Sequence, residues 1–337
     1  MDELTHFLSC DWGTSSFRLK LVELPGLRVV ATSKSDEGNA ATFAKWQETK
    51  QPDDRRLGFY LQILAGHAQK IEQEFGRPLS GVPVVISGMA SSTVGMLELP
   101  YKALPFAVDG SDLDTKLLPA SADFAHPVLL ISGVKSEDDV MRGEEVQLVG
   151  CGFAATEQEQ LFLHPGTHAK HVTIRQGQAT ELKTYMTGEF FALLSKQSIL
   201  ASAVEKADDF QRPEHRQAFE QGVQASQAEN LLHNAFLVRT NQLFDKRSKP
   251  ENFFFLSGLL IGSELSTFPP GFRGPVVLAG EEALVQHYKA ALQLLGITER
   301  LTSLTIKGAE EVTLQGQAAV LQRLRKSGQL TNSKPAE

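Results

Sequence analysis

Two short strings in the sequence carry residue types suited to handling phosphate. Asp11-Trp12-Gly13-Thr14-Ser15-Ser16 lies between an apolar run, Phe7 to Cys10, and a run in which Phe17, Leu19 and Leu21 alternate with Arg18 and Lys20. A hairpin turn of glycine and hydroxyl residues lets several backbone N–H groups and side-chain hydroxyls converge on phosphate oxygens. Gly13 allows a close approach that a Cβ would block. Asp11, at the end of the first run, could hold Mg²⁺ through water, since hard cations take oxygen ligands. Pro165-Gly166-Thr167-His168-Ala169-Lys170 repeats the Gly-Thr pair after Leu161-Phe162-Leu163. It adds Lys170, a cation suited to a γ-phosphate in transfer. Either loop alone is as compatible with an ordinary β-turn; together they favour phosphate.

Three further strings could complete such a site. In Ser136 to Glu145, the string Asp138-Asp139-Val140-Met141-Arg142-Gly143 follows an apolar run and is expected to enter a helix. A carboxylate there could orient a hydroxyl and take its proton, and Asp139 is preferred over Asp138. Simple helix capping is the competing reading. Gly280-Glu281-Glu282 follows Val276 to Ala279 and opens a helix. Gly280 would let a flat ring lie against the backbone, although Glu281 and Glu282 also suit an ordinary helix N-terminus. Ser87-Gly88-Met89-Ala90-Ser91-Ser92-Thr93-Val94-Gly95 is a hydroxyl-rich loop that could hydrogen-bond a polyol or simply pack, with Met89 and Met96 suited to core positions.

The elements that must position these strings occur twice. Phe7–Cys10, the alternating run from Phe17 and the run Arg28–Ser33 read as three strands with a Pro25-Gly26 turn. A helix follows, with Leu57, Tyr60, Leu61, Leu64, Ala68, Ile71 and Phe75 at spacings of three and four. Val82–Ile86 and Val128–Ile131 continue the strands. Leu161–Leu163, His171–Ile174 and Ala179–Tyr185 then repeat the three-strand plan around Gln176-Gly177-Gln178, and a helix is expected near Thr187 as N-cap. Strand, Gly-Thr loop, strand, turn, strand, helix at a separation near half the chain indicates internal duplication. Helices are expected over Gln217–Phe244, from Gly280 through Leu295, and over Gln315–Arg325, before a polar tail expected to fray.

The 337 residues suit two α/β domains, each able to bury its own core. The two cysteines, Cys10 and Cys151, show no zinc or disulfide spacing and fit buried positions in a reducing cytoplasm. A net charge of −7 argues against nucleic acid. The first ten residues lack the basic start and long apolar stretch of a signal peptide, and the most apolar segment, Phe253–Gly262, is too short for a bilayer span. A cytoplasmic protein with a small-molecule partner is expected, with no nucleic acid and no membrane; a homodimer is left open.

In this order, CDWGTSS, VVISGMASSTVGM, DVMRGEE, LHPGTHAKHV, YMTGEFFALL, FLSGLLIGSEL and VVLAGEEALVQHY resemble the 2-dehydro-3-deoxygalactonokinase family, from about residue 6 to 325. The Pro-Gly-Thr-His and Val-Met-Arg-Gly-Glu-Glu strings are the specific ones; Gly-Thr turns define only the wider sugar kinase/Hsp70/actin superfamily. The resemblance implies two duplicated RNase H-like lobes around an ATP cleft. The expected lobes are 1–155, with the sugar-acid site, and 156–312, with the second phosphate loop and adenosine site; 313–337 would be a final helix and tail.

The resemblance implies ATP and Mg²⁺ as cofactors. Asp11, Gly13, Thr14, Ser15 and Ser16 would form the first phosphate loop, with Asp11 at the metal. Gly166, Thr167, His168 and Lys170 would form the second, and Gly280 and Glu281 the adenosine site. Gly38, Asn39, Ser87, Gly88, Met89 and Ser91 would face the sugar acid. Arg142, Lys102 and Lys135 are candidates for its carboxylate. Asp139 would be the base in transfer of the γ-phosphate to the 6-hydroxyl of 2-dehydro-3-deoxy-D-galactonate. Two positions depart from the pattern: His164 stands where an acidic residue is expected, and His171 where an aromatic such as Trp is. A kinase of another keto-deoxy sugar acid such as 2-dehydro-3-deoxygluconate, a polyphosphate or nucleotide hydrolase, and a nucleotide-switched binding protein are the competing readings.

Overall fold

Alternating apolar residues and a turn of one glycine and three hydroxyl residues, Gly13–Ser16, build the first hairpin of the chain. The structure is a computed structural model that describes residues 4–328. Residues 329–337 of the polar tail lie outside the described residues. β1 (His6–Trp12), β2 (Phe17–Glu23) and β3 (Arg28–Ser35) lead into α1 (Asn39–Glu48) and α2 (Arg56–Phe75). β4 (Val84–Gly88), β5 (Lys102–Ala103), β6 (Phe106–Ala107), β7 (Thr115–Leu118) and β8 (Val128–Ile131) follow. β9 (Val134–Lys135) and β10 (Val140–Met141) precede α3 (Glu144–Gly150). The second repeat comprises β11 (Gln160–His164), β12 (Ala169–Arg175), β13 (Gln178–Tyr185) and α4 (Thr187–Gln197). α5 (Pro213–Ala228), α6 (Leu231–Leu243), α7 (Lys249–Leu265), β14 (Val276–Gly280) and α8 (Glu282–Leu294) come next. β15 (Leu304–Gly308) and α9 (Ala309–Lys326) end the described chain.

Two compact units result. Among the described residues, the first holds 4–157, Ile174–Leu182 and 309–328; the second holds Gln158–Thr173 and Lys183–Gly308. One six-stranded sheet runs β3-β2-β1-β4-β8-β7, the other β15-β14-β11-β12-β13-β6, and a three-stranded sheet runs β10-β9-β5. β1 pairs antiparallel with β2 and parallel with β4, and β4 parallel with β8. In the other sheet β11, β14 and β15 are parallel. The order third-second-first-fourth-fifth strand thus appears twice, as expected of duplicated RNase H-like units in an α/β protein.

β1 lies inside its sheet and is buried along most of its length. Trp12 packs on Phe17 and Tyr60 at ring distances of 4.8 and 5.2 Å. Tyr60 comes from the inner face of α2, with Leu64, Ala68 and Ile71. Truncating a ring in such a cluster costs roughly 3–5 kcal/mol. α9 also belongs to the first unit, where it lies backbone-to-backbone against α3. A Cβ on Gly150 would sit 1.8 Å from the Val312 carbonyl oxygen, and one on Gly316 1.9 Å from that of Val146. In the second unit the apolar run Phe253–Gly262 forms the middle of α7, which starts at a capping box of Ser248 and Glu251.

Three local expectations are corrected. The stretch Gln217–Phe244 is two helices, because Asn230 caps α6 by accepting the Leu232 N–H at 2.8 Å. Thr187 is the first residue of α4 rather than its N-cap; its hydroxyl donates to the Glu264 carboxylate. Asp139 does not enter a helix. Ser136 Oγ accepts the N–H groups of Asp138 and Asp139 at 3.2 and 2.9 Å, which closes a turn. Val140 and Met141 then pair back with Lys135 and Val134, so α3 begins only after Gly143.

Candidate active site

The first loop is a closed hairpin. Gly13 N–H donates to the Ser16 carbonyl at 3.0 Å, and Thr14 and Ser15 are exposed at its tip. The start of α1 braces it from behind. Asn39 is fully buried and donates its amide to the carbonyls of Trp12 and Gly13, at 2.7 and 3.3 Å. The backbone N–H groups of Asn39 and Ala40 donate to the carbonyls of Gly13 and Thr14, at 2.9 and 3.0 Å. Gly38 is required: a Cβ there would lie 2.4 Å from the Thr14 oxygen and the Ser16 nitrogen. Gly38 and Asn39, expected to face the sugar acid, therefore stand directly against the loop.

The register of β1 with β4 sets Asp11 beside Ser87 and Trp12 beside Gly88. The hydroxyl-rich loop thus starts next to the Asp11 carboxylate, whose Oδ2 is 3.6 Å from the Arg18 guanidinium. Ser87 is buried and receives the Gln317 amide from α9 at 2.9 Å; the same amide reaches the Cys10 carbonyl at 3.0 Å. Gly88 has φ +93, and a Cβ on Gly143 would lie 3.3 Å from its Cα. Ser91 is buried, and Met89 is half-buried. Arg142 Nη1 donates to Ser91 O and Oγ, at 2.7 and 2.5 Å, while its guanidinium stacks on Tyr101 at 4.1 Å. Arg142 shapes the loop. Lys102 is paired with Asp112 at 3.3 Å, and Lys135 is exposed on β9.

Asp139 is half-exposed in its turn, where its Oδ1 accepts the Val140 N–H at 2.7 Å. Glu145, the last acid of the Ser136–Glu145 string, is fully buried. Its Oε2 accepts the Gly143 N–H at 2.6 Å, and its Oε1 has no hydrogen-bond partner among the described residues. Burial, reinforced by Glu144, pushes its carboxyl up to about 8. No local signal marks this: α9, distant in sequence, packs against the helix that carries it.

In the second unit, a Cβ on Gly166 would meet nothing within 4 Å, and Thr167 and His168 are exposed. Here too a helix start braces the loop. A Cβ on Gly188 would lie 2.5 Å from the Gly166 oxygen, and Glu189 N–H donates to the Thr167 carbonyl at 3.0 Å. His168 Nε2 meets Glu189 Oε2 at 2.5 Å. Lys170 is buried at the start of β12, with Nζ donating to the His168 carbonyl at 3.3 Å. Gly280 is buried beside Pro165, and Glu281 is the exposed N-cap of α8.

His164 Nδ1 donates to the Ala279 carbonyl at 2.8 Å, tying the end of β11 to β14. His171 donates to Glu264 Oε1 at 2.7 Å and packs on Tyr185 at 4.6 Å. Tyr288 donates to the other Glu264 oxygen at 2.6 Å, so this buried carboxylate is well supplied with donors. Next to Gly166 opens an apolar cavity of about 150 Å³, lined by Phe191, Phe253, Ser257, Leu284, His287 and Tyr288 among others. Sequence reasoning missed these residues because they come from three helices. Burial holds His287 down to about 4, so it is neutral at physiological pH.

Two clusters thus form, one per unit: loop, Asp11, Ser87–Ser91, Gly143 and Glu145 in the first, and loop, Gly188, Gly280 and the apolar cavity in the second. Both present an exposed Gly-Thr turn, a backbone form that suits polyphosphate, and in the first a carboxylate, Asp11, stands at the end of the strand before the turn. No group of three or more His, Cys, Asp or Glu among the described residues could enclose a metal by itself. None of the described helices is long and apolar enough to cross a membrane.

Known proteins show the same match along the chain. The family model for 2-keto-3-deoxy-galactonokinase matches residues 11–320. A Rhizobium meliloti (strain 1021) protein named as a 2-dehydro-3-deoxygalactonokinase is 32% identical over 314 residues, 88% of this chain and 91% of the relative. The 2-dehydro-3-deoxygalactonokinase of Escherichia coli (strain K12) is 30% identical over 223 residues, 64% and 71% of the two chains. A crystal structure from Sinorhizobium meliloti, titled for the same activity, aligns with a TM-score of 0.74 at 28% identity, covering 96% of this chain and 100% of that one. With most of its length matched to that family and to named members of it, this chain belongs to the 2-keto-3-deoxy-galactonokinase family.

Proposed function

We propose that the chain is the sugar-acid kinase that moves the γ-phosphoryl group of ATP to the 6-hydroxyl of 2-dehydro-3-deoxy-D-galactonate. The observation that carries this reading beyond family membership is the loop built twice, each copy braced by the helix that follows its third strand. Mg-ATP, when bound, supplies the phosphoryl group and the cation that offsets its charge. The N–H groups of Thr14 and Ser15 and the hydroxyls of Thr14, Ser15 and Ser16 would hold its phosphate oxygens, and Asp11 would hold the hydrated cation. In the second unit Gly166, Thr167 and His168 present further donors, Lys170 adds positive charge beneath them, and the apolar cavity near Gly280 and Glu281 takes the adenine ring.

The hydroxyl-rich loop Ser87–Ser91, held in shape by Arg142, lines the sugar acid. Asp139 orients the 6-hydroxyl and takes its proton as the new P–O bond forms and ADP leaves. Such a carboxylate contributes roughly 10²–10⁴-fold. Asp139→Asn is therefore expected to lose turnover by about that factor while ATP affinity stays nearly unchanged; near-normal turnover would remove Asp139 from this role.

The deciding experiment is ADP release from Mg-ATP with a panel of keto-deoxy sugar acids. Selective turnover of the galactonate-derived compound supports the reading. Equal turnover across the panel leaves a sugar-acid kinase of broader acceptance. ADP release with no acceptor present favours a hydrolase instead.

A further inference from the structure

Glu264 lies near the end of α7 and is buried. A buried carboxylate persists only where donors replace the water it has lost. Its donors come from three other elements of the second unit. His171 on β12 reaches Oε1 at 2.7 Å, and Tyr288 on α8 reaches Oε2 at 2.6 Å. Thr187, the first residue of α4, donates to Oε2 as well. Burial and the charge of Glu264 hold the Tyr288 hydroxyl well above the usual tyrosine range, so it stays a donor. His171 stands where the family resemblance leads to an aromatic such as Trp. Its ring packs on Tyr185 at 4.6 Å as that residue could, and its Nε2 adds a donor.

α4 passes from this network to the second Gly-Thr loop within three residues. Thr187 is held by Glu264; a Cβ on Gly188 would lie 2.5 Å from the Gly166 oxygen; Glu189 N–H donates to the Thr167 carbonyl at 3.0 Å. Thr187 and Tyr288 also line the apolar cavity beside Gly166. One oxygen of Glu264 therefore fixes both the start of the helix against the loop and one ring of the cavity wall. Neither hydroxyl can swing away without leaving a buried charge short of a donor, so the network selects a single arrangement.

We propose that Glu264, supported by His171, is the positioning residue of the nucleotide site, holding Thr187 and Tyr288 so that the Gly166–Lys170 loop and the cavity keep the shape ATP requires. This rests on the second unit being where ATP binds. Glu264 touches neither phosphate nor base in this arrangement; it acts through α4 and α8. Its loss is felt as weaker nucleotide binding, while the acceptor and the chemical step, served by the first unit, are left alone.

Calorimetric titration of Mg-ADP into the full chain, beside steady-state kinetics, tests this. Glu264→Leu strands three buried donors, and Thr187→Val, of nearly equal shape, cuts only the link to α4. Each is expected to raise the Kd of Mg-ADP and the KM for ATP about 10-fold or more, with kcat within ~3-fold and the KM for the sugar acid unchanged. Asn234→Ala is the control for stability alone. That buried amide donates to the Ala225 and Glu229 carbonyls, at 2.7 and 2.9 Å, where α5 meets α6. The control is expected to lower Tm and to keep both nucleotide constants. Should Glu264→Leu fail to fold, Thr187→Val decides. Unchanged Mg-ADP affinity in Thr187→Val, a loss in kcat rather than in KM, or equal weakening in Asn234→Ala overturns the proposal. A wild type that binds no Mg-ADP overturns the nucleotide reading of the second unit, and this role with it.

Discussion

The two Gly-Thr loops share a backbone solution but differ in the polar groups that secure it. In each, the helix after the third strand begins against the loop, at a glycine with no space for a Cβ: Gly38 in the first unit and Gly188 in the second. Behind the first loop the brace is a buried neutral amide, Asn39. Beside the second it is an exposed pair, His168 and Glu189. Duplication has kept the contact that depends on having no side chain. The polar part has diverged, because buried and exposed hydrogen bonds carry very different energetic weight.

The largest effects should fall on the shared element. Gly38→Ala and Gly188→Ala each place a Cβ at 2.4–2.5 Å from backbone atoms that cannot give way. Each is expected to cost about 3 kcal/mol or more and to raise the KM for ATP at least ~10-fold, read by thermal unfolding and steady-state kinetics. Tolerance of either substitution would break the symmetry drawn between the loops.

A second test concerns the buried acid that only the first cluster contains. The folded state holds the Glu145 proton up to about pH 8, whereas an unfolded glutamate releases it near 4.5. The Glu145 contribution is therefore fully favourable below about pH 4.5, declines through the interval to about 8 and is level above it. Glu145→Gln removes that decline. It is expected to gain about 3 kcal/mol, or ~5–10 °C in Tm, at pH 8.5, and little at pH 5. An equal gain at both pH values would show that the carboxyl ionises normally.

Smaller effects separate the two braces. Asn39→Ala leaves the Trp12 and Gly13 carbonyls short of a buried donor and is expected to cost about 2–3 kcal/mol. Glu189→Gln touches an exposed pair and is expected to stay within about 1 kcal/mol. Chemical denaturation of both variants in one buffer compares them; equal losses would erase the distinction.

Much of this architecture is readable locally. The Phe17, Leu19, Leu21 alternation and the Tyr60, Leu64, Ala68, Ile71 spacing each state their own element, and the repeat of strand and Gly-Thr turn states the duplication. What the local pattern misses are choices made by distant partners. Asp138-Asp139 reads as a helix start until Ser136 claims both amides for a turn and Val134 and Lys135 take Met141 and Val140 as strand partners. Glu145 carries no local mark of burial; α9, distant in sequence, covers its helix. The apolar cavity beside Gly166 draws Phe191, Phe253, Ser257 and His287 from helices that show only core periodicity.

The Gln317 amide on the Cys10 carbonyl ties together residues more than 300 positions apart. Synthesis proceeds at roughly 5–20 residues per second, so the first hairpin waits on the order of 15–60 seconds for the helix that fastens it. The long stretch Lys183–Gly308, by contrast, emerges as continuous chain in the second unit. The first-begun unit of this protein is therefore the last to be completed: its sheet has all six strands by Ile131 and then waits for α9, so a sheet with one helix missing is what a nascent-chain chaperone would meet.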